Sequence, residues 1–171
     1  MRQEISPISK KLSDRTKPII FDTSPLLLLL MGIYDKNAIS SFKRLSEYDA
    51  DDYELLMQFA YNRKIIVTPH VLSEVSNFAD RLKDKFSDFL ECTKITLNRI
   101  DEKHIPKTII LSTPEVIKLG FTDISIIIAA RENNALVLTN DFPLYGTCKR
   151  AGLDAMHVTT QILNQKEIFK N

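Results

Sequence analysis

Eight of the 22 Asp and Glu residues have no Lys or Arg within four positions along the chain. Four of the eight, Asp49, Asp51, Asp52 and Glu54, form one run whose acidity suits a solvated turn and the start of a helix. The other four are scattered and sit in apolar sequence: Asp22 in IIFDTSPLL, Glu74 in HVLSEVSNF, Asp123 in LGFTDISII and Asp141 in VLTNDFPLY. Carboxylates that converge cannot stay charged unaided. Two unit charges 4 Å apart repel by roughly 4 kcal/mol at an effective dielectric of 20, and burial adds a desolvation cost. Either some carry a proton, or distant Lys and Arg side chains fold in, or a hard divalent cation binds. An all-oxygen donor set suits Mg²⁺ or Mn²⁺. The chemistry that fits is metal-assisted hydrolysis at phosphorus, in which the cation generates hydroxide and stabilises charge on the leaving oxygen. No Gly-rich phosphate loop or Walker-type Lys competes for such a ligand.

Whether the four acids meet depends on the elements that carry them. Pro18-Ile19-Ile20-Phe21 reads as a short buried strand, and Asp22 follows its end. Thr23-Ser24-Pro25 then starts a helix, with a hydroxyl at the cap and Pro at the first helical position. That helix is apolar all round through Met31, hence buried, and Gly32 ends it. Helical spacing recurs at Ala38, Ile39, Phe42 and Leu45, and again at Tyr53, Leu56, Phe59 and Ala60. Ile65-Ile66-Val67 is the second strand. Thr68-Pro69 repeats the cap-then-proline start and opens a long helix with Val71, Val75, Phe78, Leu82, Phe86 and Phe89 on one face, Glu74 lying in its early turns. The segment from Cys92 to Ile110 is ambiguous, with Thr108 to Leu111 a candidate strand. Thr113-Pro114 opens a short helix closed by Gly120, and Thr122 caps a buried one that Asp123 begins. Leu136-Val137-Leu138 and Ala155 to Val158 complete the strands, Asp141 following the first of these, with helical segments over Phe142 to Ala151 and Thr160 to Ile168. Short strands alternating with helices predict an α/β fold, three layers α/β/α around a central, mainly parallel sheet. In such a sheet the carboxyl ends of strands and the N-termini of the following helices share one edge, where ligands bind. The four carboxylates are therefore expected to converge on one cleft.

The chain of 171 residues and 19.6 kDa is the size of one domain, and 44% hydrophobic with 26% charged residues is a globular composition. Residues 1–17, polar and basic, read as a flexible arm; residues 18–171 form the single folded domain. The longest apolar run, Leu26 to Met31, is far shorter than the roughly 18 residues of a membrane span. Cys92 and Cys148 are too few and too far apart for a disulfide scaffold or a thiolate zinc site, and no two His residues have metal-ligand spacing; a reducing, cytoplasmic setting is expected. A net charge of +1 disfavours strong nonspecific binding to nucleic acid.

Four segments in order, Phe21-Asp22-Thr23-Ser24, Val67-Thr68-Pro69-His70-Val71-Leu72-Ser73-Glu74, Gly120-Phe121-Thr122-Asp123-Ile124-Ser125 and Leu138-Thr139-Asn140-Asp141-Phe142, resemble the acidic motifs of PIN-domain (VapC-type) nucleases. The resemblance spans about Pro18 to Val158. It implies a Mg²⁺- or Mn²⁺-dependent endoribonuclease with a parallel sheet. By the same resemblance Asp22, Glu74, Asp123 and Asp141 hold metal and position the attacking water, and Thr139 and Asn140 are the polar pair that precedes the last acid. It further implies an RNA substrate, single-stranded or structured, and it makes an antitoxin partner and a homodimer candidates, with toxin, RNA-processing and defence roles all open. Two departures stand out. Asn140 and Asp141 are adjacent, where many toxins place residues between them, and residues 126–130 carry no second acid, so one metal or two both stay open.

Plainer readings compete for the same residues. Asp22 and Asp141 suit turns or caps after strands, Glu74 a solvated helix carboxylate, and Asp123 a first-turn partner of the helix dipole. Thr23, Ser24, Thr122 and Ser125 are caps or water-orienting groups. His70, four residues before Glu74, is either a supporting partner or a half-exposed helix-start residue; His157 is structural and His104 lies in a loop. Candidate nucleic-acid contacts are Arg131, Lys149, Arg150 and the basic arm from Lys10 to Lys17. Two other functions remain. One is a catalytically inactive RNA- or protein-binding module on the same fold; the other is a haloacid-dehalogenase-type phosphatase, for which Ser24 stands where a second acid is needed.

Overall fold

A computed structural model of the chain describes residues 15–163. Four strands are built from apolar, mainly β-branched or aliphatic residues: β1 (Ile19–Phe21), β2 (Ile65–Val67), β4 (Leu136–Thr139) and β5 (Ala155–His157). A fifth, β3 (Asp101–Glu102), pairs only with β2. The spatial order is β3-β2-β1-β4-β5 and every pairing is parallel, with Ile19 registered against both Ile65 and Leu136. The helices are α1 (Thr23–Asp35), α2 (Ala50–Ala60), α3 (Pro69–Ala79), α4 (Phe86–Leu97), α5 (Lys107–Ser112), α6 (Val116–Asn133), α7 (Phe142–Arg150) and α8 (Val158–Gln161). From β1 the chain travels outward to β2 and β3, then returns past β1 to β4 and β5. Parallel crossovers are right-handed, so that reversal puts α1 to α4 on one face of the sheet and α6 and α7 on the other. The fold is the three-layer α/β/α arrangement expected, with an all-parallel sheet.

The core lies between these layers. Leu26 through Met31 of α1 are buried, and α1 packs against α2, α3 and α4. Gly32 does not end α1, which runs three residues further. A Cβ at Gly32 would lie 2.0 Å from the Tyr53 ring of α2, so the glycine marks a close helix contact rather than a stop. The long helix expected after Thr68 is instead two helices. Both α3 and α4 pack on α1, and the chain turns between them through a 3-10 segment, Asp80–Lys85, with Lys83 at φ 53°.

Three further expectations change. In place of one helix over Ala38 to Leu45 there are two 3-10 turns, Lys36–Ala38 and Lys43–Leu45. Thr108 to Leu111 belong to α5, not to a strand; the missing strand is the two-residue, exposed, acidic β3, a charged edge of the kind that gives no strand pattern in sequence. Gly120, at φ 83° and ψ −178°, does break the helical backbone within α6, closing a short helix ahead of the buried one that carries Asp123, as expected. Val158 begins α8 rather than ending β5. Residues 1–14 of the basic arm and the end of the helix expected over Thr160 to Ile168 lie outside the described residues. The arm's last residues are held: Arg15 donates to the Tyr61 carbonyl at 3.0 Å, and Lys17 pairs with Asp154 and donates to Asn134 at 3.2 Å. Among the described residues no helix is long and apolar enough to cross a membrane.

Candidate functional site

The strand order reverses between β1 and β4; Asp22 immediately follows β1, and Asp141 lies two residues past the end of β4. A crevice opens at such a switch point, outside the carboxyl ends of the strands. Both acids are N-caps, of α1 and α7. Asp22 Oδ1 accepts from the Thr23 N–H at 2.6 Å, and Asp141 Oδ1 accepts from the Leu144 N–H at 2.7 Å. The cap at α1 is thus the carboxylate of Asp22, two residues earlier than the hydroxyl expected beside Pro25. Capping consumes one oxygen of each. The second oxygen of Asp22 accepts from Thr139 Oγ1 at 2.6 Å, and the same hydroxyl accepts from the Asp141 N–H at 2.9 Å. Thr139, fully buried at the end of β4, therefore ties the two acids to one atom.

Glu74 comes from the second turn of α3 and is held from two sides. Thr23 Oγ1 donates to Oε2 at 2.8 Å and Thr122 Oγ1 donates to Oε1 at 2.5 Å. These hydroxyls link α1, α3 and α6 through a single carboxylate, so neither acts as the cap its sequence context suggested. Thr68 occupies the N-cap position of α3 but makes no side-chain cap bond; its hydroxyl meets Ser125 Oγ at 2.8 Å, fastening α3 to α6 beneath the acids.

Asp123 completes the group on α6. Its carboxyl is pushed up to about 7, first by burial and then by the charges of Asp22, Asp141 and Glu74. Asp22 is likewise raised by burial, against the lowering effect of its bonds from Thr139 and Thr23, and raised further by Asp141 and Glu74. The four scattered carboxylates do share one electrostatic environment. Among the described residues none of them forms a salt bridge. The field extends to Cys148 on α7, a buried free thiol pushed up to about 12 by burial, Asp123 and Asp22.

Asn140 is placed differently from the acids beside it. Its side-chain amide donates to the Tyr48 hydroxyl, and its Oδ1 accepts from the N–H and Oγ1 of Thr159 at 3.0 and 3.1 Å. Its carbonyl oxygen lies 3.1 Å from His157 Nε2. Every polar group of that side chain is committed to pinning the loop after β4, which fixes where Asp141 stands. Tyr48 and Thr159 were invisible to sequence reasoning because each lies far from Asn140 along the chain and in a segment with no motif.

His70 has no bond to Glu74. Its ring sits 6.1 Å from that of Phe121, and its Nδ1 is buried without a hydrogen-bond partner. His157 is buried, its imidazole held below the usual basicity by desolvation, and stacks on Phe142 at 4.0 Å. The basic candidates among the described residues lie elsewhere. Lys17 precedes β1, Arg131 lies one turn before β4, and Lys149 and Arg150 end α7, which runs back towards the start of β5. All four are at the amino ends of the strands, the edge opposite the acids.

The donor chemistry fits a hard divalent cation: four carboxylates and several hydroxyls, with burial and neighbouring charge raising Asp22 and Asp123 and, among the described residues, no Lys or Arg in a salt bridge with any of the four. Among the described residues no three His, Cys, Asp or Glu side chains form a group that would hold a metal ion as they stand. Mg²⁺ does not demand one, because it keeps several waters and is commonly held by one or two carboxylates together with substrate phosphate.

No family model matches the chain, and no curated protein matches it. Among solved structures, a domain of a functionally unknown protein from Methanocaldococcus jannaschii DSM 2661 is similar at 19% identity, covering 82% of this chain and 90% of that chain, with a TM-score of 0.42.

Proposed function

We propose that the protein is a Mg²⁺- or Mn²⁺-dependent endoribonuclease of the PIN-like type. The observation that carries the reading is that the charges of Glu74 and Asp141 act on Asp22 and Asp123 at the switch point of the sheet, with none of the four in a salt bridge among the described residues. These four would hold the cation, which when bound supplies charge neutralisation for the phosphodiester and an activated water. The chain's own contribution is positioning. Thr139 holds Asp22 and Asp141 in fixed relation, Thr23 and Thr122 aim Glu74, and Asn140 anchors the loop that carries Asp141.

The test is cleavage of 5′-labelled single-stranded RNA by the parent and by Asp22→Asn, with Mn²⁺, Mg²⁺ or EDTA. Cutting by the parent alone, lost with EDTA, is the expected result. A folded parent that binds RNA without cutting it or binding Mn²⁺ would support a non-catalytic binding module instead.

A further inference from the structure

The acid edge carries two exposed aromatic rings and, among the described residues, none of the basic side chains singled out in the sequence. Phe142 follows Asp141 directly and is 62% exposed; Phe121 lies two residues before Asp123 and is 42% exposed. Each is paired with a histidine from the carboxyl end of a strand or the helix start that follows it. The Phe142 ring stacks on His157 at 4.0 Å and 20°, and Phe121 meets His70 at 6.1 Å and 42°. The first pair lies on the β5 side of the switch point and the second on the β2 side, so the two flank the carboxylates along the edge. β2, which precedes His70, and β5, which ends at His157, are roughly 14 Å apart, three strand spacings.

The Phe142 pair is the more rigid. Proline at 143 and the Asp141 cap fix the backbone at the start of α7. His157 is held at both ring nitrogens, Nε2 against the Asn140 carbonyl and Nδ1 accepting from the Thr160 N–H at 3.4 Å. Tyr145 closes edge-on against the imidazole at 6.2 Å. One face of the Phe142 ring is thus backed by a fixed imidazole while the ring stays largely in water. A large apolar ring in water beside a polar site invites a flat partner, and nucleobases stack on such rings with little regard to sequence. A duplex keeps its bases stacked inward, so the platform is useful only to an unpaired strand.

Resting on the nuclease reading above, we propose that Phe142, backed by His157, is the stacking platform for an unpaired base next to the phosphate held at the carboxylates. The substrate is then single-stranded at the cleavage point, and a stacked base helps to position it.

The experiment compares kcat/KM for Mn²⁺-dependent cleavage of a short oligouridine by the parent, Phe142→Ala, Phe142→Leu and Phe142→Tyr. Each is also assayed on a matched strand with abasic residues around the cut. Leu keeps an apolar contact with His157 but offers no π-face; Tyr restores one. Ala and Leu are expected to lose about tenfold on the intact strand, the scale of one base stack, and Tyr to recover it. On the abasic strand the parent is expected to fall to the level of the Ala variant. Equal rates for parent, Ala and Leu on the intact strand overturn the platform and leave the nuclease standing. So does an equal loss on the abasic strand, which makes the effect structural. A parent that cleaves neither strand overturns the nuclease reading and this inference with it.

Discussion

Two groups of four acidic residues behave in opposite ways in this molecule. Asp49, Asp51, Asp52 and Glu54 are contiguous in sequence and look the more charged, yet each finds an ordinary use. Asp49 and Asp52 form a reciprocal capping box at the start of α2, with both bonds at 2.9 Å, Asp51 lies in the first turn, and Glu54 pairs with Lys36 at 2.7 Å. Asp22, Glu74, Asp123 and Asp141 are up to 119 positions apart in the chain and come together without a salt bridge among the described residues, and burial and neighbouring charge raise Asp22 and Asp123. Local density of charge says little about a site. What matters is charge that the fold collects and leaves uncompensated.

The sharpest way to break this contrast is by activity. Glu74→Gln is expected to lower cleavage of labelled RNA by at least about 100-fold, the scale of a lost acid–base or charge-positioning group, while Glu54→Gln stays within about twofold. Comparable losses in both would erase the distinction between the groups.

Stability in metal-free buffer should separate them by sign. Asp123→Asn removes one of four repelling charges and is expected to raise the melting temperature. Because Asp123 is partly exposed and screened by water, the gain is held to about 1 kcal/mol, or about 3 °C for a chain of this length. Asp49→Ala removes a cap and is expected to lower it by a similar amount. Calorimetry on the two variants reads both directly.

The pH dependence follows from the same cause and is smaller. Asp123 titrates near 7 when folded and near 3.9 when unfolded. Between those values the folded chain binds more protons, so stability falls as pH rises. The contribution is complete below about pH 4 and gone once pH has passed about 7. Melting temperatures across this range should decline in metal-free buffer, and Asp123→Asn should flatten the slope.

The sequence made the strand ends and the four acids legible because both are local. Apolar triplets such as Ile65-Ile66-Val67 announce buried strands, and a carboxylate in apolar sequence stands out from its neighbours. The positions of Gly32 and β3 were not legible, since one is set by the Tyr53 ring of another helix and the other is two acidic residues paired to β2. Thr23 and Thr122 looked like caps because nothing near them in sequence shows that Glu74 lies between them. Lys149 and Arg150 looked like substrate contacts because they follow Asp141, but α7 carries them about two turns away to the opposite edge.

The most direct test of the central claim is a thermal melt with increasing Mn²⁺. A cation that binds the folded parent alone stabilises it by about 2.7 kcal/mol at 100 times its dissociation constant, a rise of roughly 5–10 °C. The account predicts that rise for the parent and for Asp49→Ala, and its loss in Asp123→Asn. No rise in the parent at millimolar Mn²⁺, or the same rise in Asp123→Asn, would contradict it.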